Sequence, residues 1–582
     1  MQVIRRTGPK RKTEYRLPIE SVPYNPKELG KRVAIFDTET DPFLYGRIVK
    51  PFTCGFYIPD SDEYFDFWGD DCIDQFFAFL AKEFPDEEFC IFVHNGGNFD
   101  FYFFVDYFDN GHSPFIINGR LVKVTAQGQE FRDSYSMIPV ALGEYDKLKI
   151  DYRCLERGFR DVFKETIREY QKRDCTSLGE LVVAWLDMFG SKLTMASVAL
   201  PMLRSYHGFE SLSENLDNEL RPYYFGGRNQ CFTTGVLTGD FKVYDINSSY
   251  PDVMSRYNHP ISDVPKYGNR ITDKTHFAHI RAWSLGALPI RADNGGLNFP
   301  VGTFDFYACI HEINAGLATG TLKILKVYSS IYFEEQTNFS EFIDTFYKLR
   351  LDAGKSGDEI KKLFYKLVMN SSYGKFAQDP RKYENWLFDP LEIPTPFYCG
   401  DCHGRVKRKE KPEPCALCEA ETHSPFGWYL HTRRDDFNLY AQPQRLRSGS
   451  FFNVATAASI TSAARASLLY GIKAAVRPVY CDTDSVICEA IDESAVRLHP
   501  SDLGAWDLEA TGSTVCIAGK KLYAIFDDNG ALVKKASKGV KLTGEEIRSI
   551  CEGGKVEYMH PVPKFSLTGE TKFTKRNISR TG

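Results

Sequence analysis

The chain has 582 residues, too many for one ordinary domain and enough for two to four. Hydrophobic residues make up 43%, which excludes a disordered polyampholyte, and no stretch is long and apolar enough to read as a membrane span. Lys and Arg total 72 against 77 Asp and Glu, a net charge of −5, so a nucleic-acid footprint would have to be a local groove and not a basic surface overall.

Aromatic residues reach 14%; core packing accounts for most of them, and stacking on nucleobases is a second use. The N-terminus is basic with no apolar region after it, unlike a secretory signal. The 15 Cys are therefore expected in a reducing compartment, where metal sites are more plausible than disulfides.

In chain order, residues 1–30 form an arm with a basic run from Arg5 to Arg11, either a solvated tail or a DNA contact. Across 31–190, short apolar strands alternate with helical stretches, an α/β pattern. Val33 to Phe36 reads as a buried strand running into Asp37-Thr38-Glu39-Thr40. Alternation along a strand puts Asp37 and Glu39 on the same side. A second apolar strand, Phe89 to Val93, runs into His94-Asn95-Gly96-Gly97-Asn98-Phe99-Asp100, whose glycines allow a sharp turn that brings Asp100 towards the sheet. Tyr170 and Asp174 are four residues apart in a helical stretch and share a face. Asp37, Glu39, Asp100 and Asp174 converging at strand ends would repel strongly without divalent ions between them. Two such ions can activate a water and stabilise the leaving oxygen of a phosphodiester.

Residues 191–582 hold a second constellation. Tyr223 to Gly227 punctuates the chain after a polar stretch and marks the main boundary. Lys242 to Ile246 is a strand ending at Asp245, followed by a turn through Tyr250. Tyr480-Cys481 and Val486-Ile487 flank Asp482-Thr483-Asp484-Ser485, a hairpin with two acids at its tip. Between them, Lys362, Lys366, Asn370 and Tyr373 share one helical face that Gly374 terminates. Two lysines suit a triphosphate, and the aromatic ring suits a base or sugar. For the helix alone, a solvated amphipathic face serves equally; with the acids, the set reads as a two-metal nucleotidyl transferase.

These segments resemble the signature set of family B DNA polymerases, and most of all the small protein-primed branch of phages and linear plasmids. Asp37 and Glu39 match its first exonuclease motif. Asn95 and Asp100 match the second with one extra residue between them, and Tyr170 and Asp174 match the third. Tyr224, Gly226 and Gly227 match the Tyr-x-Gly-Gly hinge. Asp245 to Tyr250, Lys366 to Gly374 and Tyr480 to Asp484 match the three polymerase motifs. Thr461 to Arg465 fits Thr-x-x-Gly/Ala-Arg, and Lys521-Leu522-Tyr523 fits Lys-x-Tyr. One departure is Ser134-Tyr135, where the family usually has Leu at the second position.

The resemblance implies a multidomain α/β and α+β protein: an RNase H-like 3′–5′ exonuclease joined to a right hand. Palm is expected at about 220–300 and 440–500, a palm insertion at about 285–338, fingers at about 339–376 and thumb at about 510–582. It implies Mg or Mn held by Asp245 and Asp484 with Asp482 beside them, and by the exonuclease acids. Lys362, Lys366 and Asn370 would take the triphosphate, and Ile246, Tyr250 and Tyr373 would form the nucleotide pocket. DNA would meet Asn95, Tyr224, Gly226, Gly227, Arg465, Lys521 and Tyr523. The implied partners are primer-template DNA, dNTPs, a terminal priming protein and a single-strand binding protein, with no membrane. Such an enzyme would replicate a linear viral or plasmid genome in the host cytoplasm. Two rivals stand beside it, a nucleic-acid-primed repair polymerase and a non-catalytic zinc-bearing DNA-binding protein.

Cys399-Gly400-Asp401-Cys402 and Cys415-Ala416-Leu417-Cys418 are two CxxC knuckles with 12 residues between them, in an insertion at about 392–425. Four thiolates so spaced suit a closed structural zinc, with an iron–sulfur centre as the minor alternative.

Overall fold

The computed structural model describes residues 29–43, 49–109, 111–117, 119–145, 148–292, 295–379, 384–390, 397–398, 405–406, 429–433, 437–443, 451–540, 542–562 and 572–579. Most of the N-terminal arm and all four knuckle cysteines lie outside these residues.

The first sheet joins β1 (Arg32–Thr40), β2 (Pro51–Ile58), β3 (Glu63–Trp68), β4 (Phe89–Val93), β5 (Phe115–Ile117), β6 (Arg120–Ala126) and β7 (Gln129–Asp133). Their spatial order is β3-β2-β1-β4-β7-β6-β5, with β1, β4 and β7 parallel and the other pairings antiparallel. Helices cover both faces, which is why β1 and β4 are continuous apolar runs. Ala34 and Phe36 face α1 (Cys72–Glu83), with the Phe36 and Phe76 ring centroids 4.7 Å apart. Ile35 faces α2 (Lys164–Phe189) and packs with Cys175 and Leu178. The two-residue period therefore points Asp37 and Glu39 at α2.

The far end of α2 enters the fingers. Trp185 and Phe189 pack on Phe364, at ring separations of 6.0 and 5.5 Å. A short helical bridge follows, α3 (Met195–Tyr206), capped by Thr194 and Ser197, and α4 (Glu214–Leu220).

The palm is a seven-stranded antiparallel sheet. In spatial order it runs Leu532–Ser537, Leu522–Phe526, Trp506–Gly519, β9 (Gly235–Ile246), Ser485–Cys488, Tyr480–Asp482 and β8 (Asn229–Cys231). The strand Trp506–Gly519 pairs along β9 from Ile246 to Gly235. Residues 506–537 are thus hydrogen-bonded into the palm sheet, and not the start of the thumb as expected. What lies beyond them is α10 (Gly544–Cys551) and the hairpin of Val556–Val562 with Lys572–Ile578. From β9 the chain turns into α5 (Ser249–Arg256).

The palm insertion is a second antiparallel sheet of Lys266–Gly268, Leu322–Tyr332, Phe277–Leu285 and Val301–Cys309. It begins before the expected residue 285. Its inner face, with Ala278, Ile280 and Phe306, packs with Ile313 and Ala315 of α6 (Ile310–Ala318) and with Leu469. The fingers are α7 (Ser340–Ser356) and α8 (Glu359–Ser372), the latter capped by Asp358. Behind the palm runs α9 (Val454–Ala474), rich in Ala, Ser and Thr and buried on almost every side. Such a helix is a central rod and not a surface element.

The segment bearing the knuckles is rooted elsewhere than in the palm. Glu384–Pro390, Phe437–Pro443 and Tyr429–Arg433 form a small sheet. Its Trp386, Phe388, Leu439 and Ala441 enter the apolar core of the first domain. Gly111 N–H donates to the Phe388 carbonyl at 2.9 Å, and Phe388 N–H to the His112 carbonyl at 3.0 Å.

Candidate active sites

At the end of β1, Asp37, Glu39 and Asp174 each offer an oxygen within 4.8 Å of the others. Helix α2 supplies Asp174 and, one turn earlier, Tyr170. Burial, then Glu39 and Asp174, raise the Tyr170 pKa, so its hydroxyl keeps its proton, and the exposed Tyr152 hydrogen-bonds to it. Gln171, between them, donates to the Asp37 carbonyl at 3.3 Å and accepts from Thr53 at 3.1 Å, fixing the helix against the sheet.

Asp100 does not join that group. It is 4% exposed and accepts a 2.5 Å hydrogen bond from Thr38, which alternation places on the other face of β1 from Asp37. Burial pushes its carboxyl up to about 7. Three of the four expected acids thus offer oxygens within 4.8 Å of one another, while Asp100, bonded to Thr38, acts with them on the buried Cys175 thiol. Asn95 opens that turn with φ +64°, and Gly97 is required there: a Cβ would lie 1.8 Å from the Leu121 carbonyl oxygen. Asp133, paired with Arg120 at 2.5 Å, stands behind the same turn, and the sequence patterns gave no hint of it.

In the palm, Asp245 pairs with Ser485 across β9 and the catalytic-type hairpin, and Ile246 N–H donates to the Asp484 carbonyl at 2.8 Å. The two carboxylates thus come from the end of β9 and from the turn of the hairpin beside it. Both are held above the ordinary carboxylate range, first by burial, then by Asp484 and Glu509 acting on Asp245 and by Asp482 acting on Asp484. A divalent cation between them would remove that cost, so the donor set fits one. Asp482 is different: Lys521 Nζ donates to both its oxygens at 2.6 Å.

Tyr250 and Tyr373 stack with centroids 4.1 Å apart and planes 15° from parallel. One comes from the first turn of α5 and the other from the end of α8, so the expected pair meets. Ile246 is buried in the sheet. Lys366 and Asn370 are exposed on α8, while Lys362 bonds Glu359 at 2.9 Å. Arg350 on α7, which no motif singled out, donates to Ser248 Oγ at 3.1 Å beside them. Ser248, Thr483 and Lys521 all have positive φ, between 52° and 59°. Three strained non-glycine residues around one site are the mark of a functional constraint.

Three residues expected on DNA are placed differently. Arg465 is 2% exposed, its guanidinium enclosed by Glu312 and the Phe225 and Gly226 carbonyls. It cannot reach a phosphate because every donor edge faces protein. Lys521 is committed to Asp482, and Tyr523 is buried against Tyr480 at 5.1 Å. Tyr224 and Gly227 are half-buried and Gly226 exposed.

A family model for type B DNA polymerases, organellar and viral, matches residues 144–410. The DNA-directed DNA polymerase of Enterobacteria phage PRD1 is 39% identical over 585 residues, covering 95% of this chain and 99% of that protein. This chain belongs to the type B DNA polymerases. It is a DNA-directed DNA polymerase, as the protein-primed resemblance of its motifs anticipated. The polymerase shares its fold with Phi29 DNA polymerase, with a TM-score of 0.65 and 19% identity over 95% of this chain and all of that one. The same fold is seen for Phi29 DNA polymerase complexed with primer-template DNA and incoming nucleotide, at a TM-score of 0.65 and 17% identity. As in the family generally, the chemistry depends on divalent metal such as Mg. Among the described residues, no helix of the polymerase is long and apolar enough to cross a membrane.

Proposed function

We propose that this polymerase replicates a linear viral or plasmid genome in the host cytoplasm, starting from a terminal-protein hydroxyl and proofreading with its own 3′–5′ exonuclease. The observation that supports it best is the joining of Asp245 at the end of β9 with Asp484 in the adjacent hairpin turn, beside the Tyr250–Tyr373 stack, with a separate acid group on α2 and β1. Identity to the phage enzyme along nearly the whole chain favours replication over repair.

On this reading Asp245 and Asp484 hold the metals, and Asp37, Glu39, Asp100 and Asp174 do so in the exonuclease. Bound Mg would supply Lewis-acid stabilisation of in-line phosphoryl displacement at each site. Lys366, Lys362, Asn370 and Arg350 face the triphosphate. Tyr250 and Tyr373 hold the sugar and base, with Ile246 behind them. Lys521 keeps Asp482 neutralised, so only two carboxylates bear on the cations. Asn95, Tyr224, Gly226 and Gly227 border the DNA path, and single-strand binding protein keeps displaced strands covered. For the cysteine knuckles the reading is structural zinc, resting on the doubled CxxC pattern alone.

The test mixes the purified polymerase with a candidate terminal protein, a linear template carrying its genome ends, Mg and labelled dNTP. Label joined covalently to the terminal protein is the expected result. Extension of oligonucleotide primers with no such adduct would return the assignment to nucleic-acid priming.

A further inference from the structure

Three arginines tie the palm insertion to the loop carrying Tyr224, Gly226 and Gly227. Arg465 of α9 donates from Nε and Nη2 to Glu312 at 2.8 and 2.7 Å. Its Nη1 donates to the Phe225 and Gly226 carbonyls at 2.6 and 2.8 Å. Glu312 is 1% exposed and belongs to α6, inside the insertion. Arg228 donates to the Gly286 carbonyl at 2.9 Å and stacks on Phe299 at 4.2 Å. Arg291 donates to the Tyr224 carbonyl and lies over Phe225. Gly286, Arg291, Phe299 and Glu312 all lie in the insertion; the loop residues do not.

The other side of that loop touches the nucleotide pocket. Thr483 N–H, between Asp482 and Asp484, donates to the Arg228 carbonyl at 2.6 Å. Gly227 leaves no room: a Cβ there would lie 2.8 Å from Thr483 Oγ1 and 3.2 Å from the Tyr250 hydroxyl. The loop is thus tied to the hairpin tip by the Thr483–Arg228 hydrogen bond, and Thr483 and the Tyr250 hydroxyl close over the place a side chain would take at Gly227. Buried ion pairs add little net stability but fix geometry when every donor is used. Here the guanidinium is a four-point bracket with the insertion on one edge and the loop on the other.

We propose that Arg465 and Glu312 are positioning residues for the incoming nucleotide, through which the palm insertion sets the place of Tyr250. The proposal rests on the reading of Tyr250 and Tyr373 as the nucleotide pocket. It assigns Arg465 a role inside the protein in place of a DNA contact. It also makes the insertion more than a docking module, since whatever displaces α6 acts on sugar selection.

The test measures KM and kcat for dNTP and rNTP with Glu312→Gln, Arg465→Lys and Arg291→Ala, beside Tyr250→Val. Gln offers Arg465 one acceptor in place of two, and Lys cannot span a carboxylate and two carbonyls. Both variants are expected to raise KM for dNTP on the order of tenfold, with a smaller change in kcat, and to weaken discrimination against rNTP. Degradation of single-stranded oligonucleotide should keep its wild-type rate. Arg291 is exposed, so its loss spares folding and should shift the same quantities less. A merely structural role would lower the melting temperature and the active fraction of both activities while leaving KM and discrimination unchanged, and that result overturns the proposal. If Glu312→Gln fails to fold, unchanged KM and discrimination in Arg291→Ala overturn it alone. Should Tyr250→Val leave discrimination untouched, the pocket reading fails first.

Discussion

The two acid sites of this molecule solve one electrostatic problem differently. In the first domain, Asp37, Glu39 and Asp174 stand within 4.8 Å, so the protein itself supplies three ligands. Of the three palm acids in the polymerase motifs, Asp245 and Asp484 are left to bear on a cation, because Lys521 occupies both oxygens of Asp482. A phosphodiester brings one negative charge to its site, whereas a triphosphate brings several and can complete a metal shell itself. The palm therefore needs fewer free carboxylates, and a third would repel the substrate. The difference in charge follows the difference in substrate.

The largest effects should come from breaking each site separately. Asp245→Ala or Asp484→Ala is expected to cut primer extension on the order of a thousandfold or more while 3′ degradation continues. Asp37→Ala with Glu39→Ala should do the reverse, sparing extension and leaving mismatched 3′ ends in place. Gel assays of both activities decide it. Extension surviving in Asp245→Ala and Asp484→Ala would show that the palm pair is not the metal site.

A second contrast separates the two halves of the hairpin tip. If Lys521 neutralises Asp482, then Asp482→Asn should cost far less extension than Asp484→Asn. Lys521→Met should exceed Asp482→Asn, since it uncovers a third charge near the triphosphate. The expected loss for Lys521→Met is about tenfold in kcat/KM, with the double variant Lys521→Met, Asp482→Asn restored towards wild type. Equal losses in Asp482→Asn and Asp484→Asn would show both acids on the metals and end the comparison.

Much of this was legible in short segments. The run Val33 to Phe36 into Asp37 and Glu39 puts two acids on one side of β1, where both stand near Asp174, because a strand has only two faces. The spacing of Lys366, Asn370 and Tyr373 placed one face of α8 correctly for the same kind of reason. What short segments do not show needs three dimensions. Asp100 lies one residue further along its turn than the usual spacing, and only the backbone shows that it bonds Thr38. Arg465 reads as a DNA-facing residue until Glu312, 153 positions away, is seen beside it. The strand Trp506–Gly519 reads as thumb because nothing local reveals that its partner is β9. Long-range pairing, not local preference, set every one of these.

The smallest expected effect concerns burial of charge where no cation can relieve it. His259 Nε2 donates to the Val253 carbonyl at 2.9 Å, and in the neutral ring its Nδ1 accepts from Ser459 Oγ at 2.9 Å. Ser459 then has only its lone pairs for His311 Nε2, at 3.1 Å, which must donate. Burial holds His259 down to about 4 and His311 to about 3, with His276 nearby adding to both shifts. Below pH ~6.5 the unfolded chain takes up protons that these rings refuse, so stability falls as pH drops from there towards 4, by about 1.4 kcal/mol per unit for each ring. Asp100 has the opposite sign: its raised carboxyl binds a proton in the fold that the unfolded chain does not take above pH ~4, so it gains stability over the same window. Asp245 and Asp484, raised by burial, gain in the same direction in metal-free protein, so the histidine contribution is read as the difference between wild type and a variant without the rings. His259→Gln with His311→Gln, less stable at pH 7.5, should gain melting temperature relative to wild type as pH falls from 6.5 to 5, because the rings that refuse protons are gone and the raised acids remain. An unchanged slope in that variant would mean the histidines are not held neutral, and the Ser459 proton chain would have to be redrawn.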